Sequence, residues 1–149
     1  MRLGRHVPRA NILDLKSETL EETLAEMLAA STARLSEKLN HKKLIKALLH
    51  REQTMTTYLG NSVAIPHVRI KMKRPFIIAI GRCQKGAVIE GLADGKEVRL
   101  IVMLIASEGG NRYLNVLATL ARLFQDKAHV EFLLEPVELD EFRSRVLQG

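Results

Sequence analysis

Apolar residues along this chain change period twice, from helical spacing to unbroken strand-like runs and back. Leu20, Leu24, Met27 and Leu28 recur at intervals that place them on one face of a helix. Thr19 and Glu22 stand ahead of that stripe in the spacing of a capping box, which starts the helix at Thr19. A second stripe, Leu44, Ile45, Leu48 and Leu49, predicts a helix from about Leu39 to Arg51, followed by polar Gln53–Tyr58. The middle of the chain is different. Phe76–Ile80 and Val98–Ile105 are compact apolar runs, as in strands buried on both faces. Ala87–Glu90 predicts a further short strand before a turn at Gly91–Gly95. Helical spacing returns after Gly109-Gly110 with Leu114, Leu117, Leu120, Ala121 and Phe124. Two shorter helices follow near Ala128–Leu134 and Leu139–Leu147. Residues 1–11 read as a loose arm and 12–149 as one domain. Helices at both ends with strands between them imply an α/β fold, one sheet covered on two faces by helices.

A chain of 149 residues, 46% hydrophobic and 27% charged, suffices for a core without disulfides or metal. Cys83 is the one cysteine, so no intrachain disulfide forms. No apolar run approaches the roughly 18–20 residues of a spanning helix, and no membrane insertion is expected. Met1–Arg9 is basic without the apolar stretch of a secretory signal, so a cytoplasmic location is expected. The net charge of +6 includes clusters at Lys42, Lys43 and Lys46 and at Arg69, Lys71, Lys73 and Arg74. With 4% aromatics and no tryptophan, a platform for stacking bases is lacking, and a nucleic-acid partner is not expected.

Most chemical constellations fail on spacing. His41 and His50 fall nine residues apart on one predicted helix, hence on opposite faces. His6 and His129 have no neighbouring ligand pattern, so no metal or other cofactor is expected. Neither a phosphate loop nor a dinucleotide glycine fingerprint is present. The acidic groups Glu21–Glu22, Glu131–Glu135 and Glu138–Asp140–Glu141 read as solvated helix faces. Cys83 follows a predicted buried strand, which favours an inert thiol.

What survives is Gly60-Asn61-Ser62-Val63-Ala64-Ile65-Pro66-His67. Val63–Ile65 reads as a brief buried strand that Pro66 ends, presenting His67 on an exposed turn. Neutral imidazole is a nucleophile near neutral pH, as covalent phosphoryl or acyl transfer requires. Arg51 lies 16 residues upstream, and the intervening loop can close at modest entropic cost. Its guanidinium would balance the charge of a phosphoryl group and bind its oxygens in a fork.

The stretch His50-Arg51-Glu52 through Thr57-Tyr58-Leu59-Gly60 to Pro66-His67-Val68-Arg69 resembles enzyme IIA domains of the bacterial sugar phosphotransferase system. The resemblance is to the fructose/mannitol type and its nitrogen-regulatory relatives. Lys73-Arg74-Pro75-Phe76, the Gly91–Gly95 turn, Leu104-Ile105 and Tyr113-Leu114 extend it, so that it covers roughly residues 12–148. It implies a single-domain, three-layer α/β/α sandwich around a mixed β-sheet. It also implies a phosphocarrier without a cofactor, in which His67 accepts a phosphoryl group from an HPr-like protein, assisted by Arg51. Backbone amides around Gly60, Asn61 and Ser62 and the hydroxyl of Thr57 are the expected further donors. A sugar-transporter IIB component, an antiporter or a sensor kinase would be the next partner.

Two positions depart from the family pattern. Tyr113 stands where a second histidine is usual, and a phenol supplies no imidazolium charge near neutral pH. Ser62 stands where glycine is frequent, which stiffens the loop. Slower phosphoryl transfer is therefore expected. The alternative is a regulatory module that docks on a transporter or kinase with little or no phosphotransfer.

Overall fold

Side-chain alternation along two long central strands sets the layers of the molecule. The computed structural model describes residues 2–109 and 112–148. In chain order the elements are β1 (Ile12–Asp14), α1 (Leu20–Thr32), α2 (His41–Thr54), β2 (Tyr58–Gly60), β3 (Val63–Ala64) and β4 (His67–Ile70). Then come β5 (Phe76–Val88), β6 (Glu97–Ser107), α3 (Arg112–Gln125), α4 (Lys127–Leu133) and α5 (Leu139–Gln148). The sheet runs β1-β5-β6-β3-β2, with β4 also paired to β6. It is mixed: β5 and β6 are antiparallel, whereas β1 is parallel to β5, and β3 and β4 to β6.

Ile78 and Ile80 of β5 and Leu100, Val102 and Leu104 of β6 face one way, against Val116, Leu120 and Phe124 of α3 and Phe142 of α5. Their alternates Ile77, Ala79, Ile101, Met103 and Ile105 face the other, against Leu24, Met27 and Leu28 of α1 and Leu44 and Leu48 of α2. One sheet between two helical layers is the expected three-layer α/β/α arrangement. Each large apolar side chain so buried contributes about 1.5–3 kcal/mol. Arg82 is drawn fully into this interior, and its Nε and Nη2 donate to Asp14 at 2.6 and 3.1 Å.

Local signals explain the helix starts. Thr19 Oγ1 accepts the Glu22 N–H at 3.2 Å, satisfying a free donor at the head of α1. Asn40 Oδ1 accepts the Lys43 N–H at 3.1 Å, so α2 begins at His41 rather than near Leu39. It also runs on to Thr54, beyond the expected end at Arg51.

Four expectations need correction. The segment expected to be a loose arm is packed: Leu3 and Val7 lie one helical turn apart and are buried with α5 in the core. Gly4 sits so close to α5 that a Cβ would lie 2.9 Å from the Leu147 carbonyl oxygen. Ala87–Glu90 is no separate strand; β5 carries on through a bulge between Arg82 and Ala87 as far as Val88. Leu114 does not join the buried face of α3. It is 69% exposed, because two residues from Val116 is roughly 200° around the helix. Gly110 of the expected turn before α3 lies outside the described residues.

The fourth correction concerns Pro66, which interrupts the strand without ending it. Val63 pairs with Leu100 and His67 with Leu104, so β3 and β4 keep one register along β6. The Pro66 carbonyl accepts the Leu104 N–H at 3.0 Å, and the strand resumes at His67. The histidine therefore opens a strand and is not on a free turn.

Candidate active site

Three elements converge on His67. β4 supplies the imidazole, the last turn of α2 supplies Arg51, and the first turn of α3 supplies Tyr113. His67 Nδ1 lies 2.7 Å from the Ile65 carbonyl oxygen. A carbonyl only accepts, so Nδ1 carries the proton and the neutral ring keeps its lone pair on Nε2. Nη2 of Arg51 stands 3.5 Å from that Nε2, a long contact, while its Nη1 donates to the Met55 carbonyl at 3.0 Å. The guanidinium is thereby held by the backbone just past its own helix.

Electrostatics favour the neutral ring. Burial lowers the His67 pKa below its ordinary value; the bond to Ile65 opposes this, Arg51 adds to the lowering, and Glu52 counters it. Burial raises the Tyr113 pKa, with Arg51 and Arg69 pulling the other way, so the phenol stays protonated. The rings of His67 and Tyr113 are 6.2 Å apart, and the Arg69 guanidinium lies 4.9 Å from the Tyr113 ring centre. A half-buried imidazole with a free Nε2 and a guanidinium beside it is a nucleophile with a charge partner for an anionic product.

Other expected donors point elsewhere. The Thr57 hydroxyl donates to Glu52 Oε1 at 2.6 Å, and the Thr57 N–H donates to the same buried carboxylate. Leu100 N–H donates to the Ser62 carbonyl and Leu104 N–H to that of Pro66. The Gly60–Ser62 turn is thus four residues along β6 from the start of β4, roughly 13 Å away. Amides at that distance do not reach a group on His67. Gly60, Asn61 and Ser62 have φ of 91°, 53° and 63°, so the last two adopt a left-handed backbone that glycine holds more cheaply. Asn61 Nδ2 ties this turn to the Gln125 carbonyl at 3.0 Å.

Sequence reasoning gave no site role to Glu52 or Arg69. An acid on an amphipathic helix carries no mark of burial before the fold is known. Arg69 did carry a signal: two residues after His67 on one strand, it shares a sheet face with the histidine. Cys83 is buried, and its thiol is pushed up to about 11, as an unreactive sulfur would be.

The model of the phosphoenolpyruvate-dependent sugar phosphotransferase system, EIIA 2 family matches residues 9–148. The chain belongs to that family. It is 36% identical over 100 residues to the fructose-specific EIIABC component of Bacillus subtilis, covering 66% of this chain and 16% of that protein. It is 35% identical over 89 residues to a nitrogen regulatory protein of Bradyrhizobium diazoefficiens, covering 59% of this chain and 58% of that protein. Both matches span less than two thirds of the relative's own length. Nitrogen regulatory protein IIA-Ntr from Neisseria meningitidis has a similar structure, with TM-score 0.80, 28% identity and coverage of 97% of this chain and 98% of that one. IIA mannitol from Escherichia coli shares the EIIA fold at TM-score 0.68 and 23% identity, covering 94% of this chain and 98% of that one.

Proposed function

We propose that this EIIA chain is a phosphohistidine carrier, accepting a phosphoryl group on Nε2 of His67 from an HPr-type phosphoprotein. The observation that carries the reading is the Nδ1–H to Ile65 bond, which leaves Nε2 as the free nitrogen facing Arg51. In the step, the Nε2 lone pair forms the new N–P bond as the donor's N–P bond breaks. The electron pair of the broken bond stays on the donor's imidazole. Such a transfer needs alignment and donors for three phosphoryl oxygens more than it needs covalent chemistry. Arg51 is the first donor, and Tyr113, its ring 6.2 Å from that of His67, is assigned the part of the family's second histidine.

A protein donor suits the surroundings. Met55 is 65% exposed and Leu114 69%, and each adjoins a site residue, giving an apolar rim for a partner to cover. A protein of this fold, enzyme IIAMTL of Escherichia coli, has been solved in complex with phosphorylated enzyme IIBMTL. A IIB component is accordingly the proposed acceptor here.

The test is incubation with phosphorylated HPr, followed by a search for acid-labile, base-stable phosphate that His67→Ala abolishes. Absence of label on the wild type, where a known acceptor is labelled, refutes the carrier. Tyr113 favours a second reading, a regulatory module that docks without efficient transfer. Capture of a transporter or kinase undiminished by His67→Ala would support it.

A further inference from the structure

A cavity of about 400 Å³ opens where the amino-terminal segment meets the end of α1 and the start of β5. Its size is that of a small-ligand site. Arg5, Arg34, Arg74 and Arg112 line it together with His6, and no aspartate or glutamate does. These four arginines come from four separate parts of the chain: the first 3₁₀ turn, the segment after α1, the approach to β5 and the head of α3. None of the four has a carboxylate partner among the described residues. Arg9, Arg82, Arg143 and Arg145, by contrast, are each paired with an acid. Like charges gathered around one concavity repel each other and concentrate a positive field there, with Glu37 the acid nearby, lining an adjoining pocket beside Arg34 and Arg74.

The interior of the cavity has a different character. Val7, Ile77 and Ile78 line it and are almost wholly buried. The rings of His6 and Phe76, 5.3 Å apart, form part of its wall. Arginine forks bind phosphate oxygens in pairs, and an apolar wall with rings suits an organic body. We propose that this cavity binds a small organic molecule carrying two or more phosphate groups. Several guanidiniums match several phosphate charges, and the buried apolar lining is reached by a small molecule and not by a convex protein surface. Arg51 and His67 do not line the cavity, so the proposal stands independently of the phosphocarrier reading.

Isothermal titration calorimetry on the full chain tests it, using magnesium-free ATP, pyrophosphate and inorganic phosphate as probes. ATP should bind saturably at one site, pyrophosphate more weakly and phosphate weakest, with all affinities falling as salt rises. Arg34→Ala and Arg74→Ala should each weaken ATP binding about tenfold, the worth of one charge-assisted contact. Lys127→Ala, on an exposed part of α4, should leave it unchanged. All these substitutions are of exposed side chains, and a thermal melt confirms that each variant folds. The proposal is overturned if neither ATP nor pyrophosphate saturates at millimolar concentration, or if the Arg34→Ala/Arg74→Ala double variant binds as wild type does. It is equally overturned if Lys127→Ala weakens binding as much, which marks diffuse charge attraction, or if polyglutamate binds and the phosphates do not.

Discussion

Replacing Arg51 by alanine puts the carrier mechanism under the most direct strain. Two effects oppose each other, and their sizes decide the outcome. Arg51 lowers the His67 pKa, so its loss moves the imidazole toward its ordinary value. At a pKa of about 6.5 roughly three quarters of the ring is still neutral at pH 7, so protonation costs less than about twofold in rate. The guanidinium, however, stands 3.5 Å from Nε2, and a phosphoryl group on that nitrogen brings its oxygens against the guanidinium N–H groups. Loss of one preorganised donor to developing charge typically costs about 3 kcal/mol, or 10²–10³ in rate. Electrostatic stabilisation therefore wins by a wide margin. Arg51→Lys, which keeps the charge without the fork, should fall between the two. The assay is the initial rate of His67 labelling by phosphorylated HPr, with a thermal melt of each variant to confirm that the Met55 anchor is not essential to folding. An Arg51→Ala rate within about threefold of wild type, below ~0.7 kcal/mol, would refute the role assigned to the guanidinium.

Three further outcomes follow from the same geometry. Nitrogen-15 NMR should find His67 as the Nδ1–H tautomer with a pKa below 6.5. Because the neutral ring is the nucleophile and its pKa is lowered, labelling should fall to half its plateau at a pH below 6.5; a midpoint at or above 6.5 counts against this. Tyr113→His should raise the labelling rate by about tenfold or more, by restoring a donor that can carry charge; an unchanged rate would separate Tyr113 from the transfer step. Thr57→Ala should lower unfolding stability by about 1–2 kcal/mol, measured by urea denaturation, through loss of a hydrogen bond to buried Glu52. Its labelling rate should remain within about threefold of wild type, and a larger loss would return Thr57 to the phosphate site.

The layers were legible because β5 and β6 spell them residue by residue: adjacent isoleucines can both be buried only if helices cover both faces. Capping chemistry likewise marked the start of α1 at Thr19. Spacing pairs Arg51 and His67 as the two ends of one loop, whereas β2 and β3 lie between them and the sheet brings them together. What could not be read was direction. Leu114 has the composition of a core residue and only the packing of α3 turns it outward. The Gly60–Ser62 turn is close to His67 in sequence, but an extended strand converts five residues of chain into separation, and Thr57, bonded to Ile65 through its carbonyl, turns its hydroxyl to Glu52 instead. Leu3 and Val7 carried a helical interval too short to distinguish a packed 3₁₀ turn from a solvated tail.

The unbroken register of β3 and β4 along β6 has a consequence for specialisation. The proposed acceptor ring is mounted on β4, a strand paired on one side only, to β6, and that pairing holds its position whatever the connecting loops do. In a phosphocarrier of this build, clientele would change at the margin, through side chains such as Met55 and Leu114, while Nε2 of His67 kept its aim.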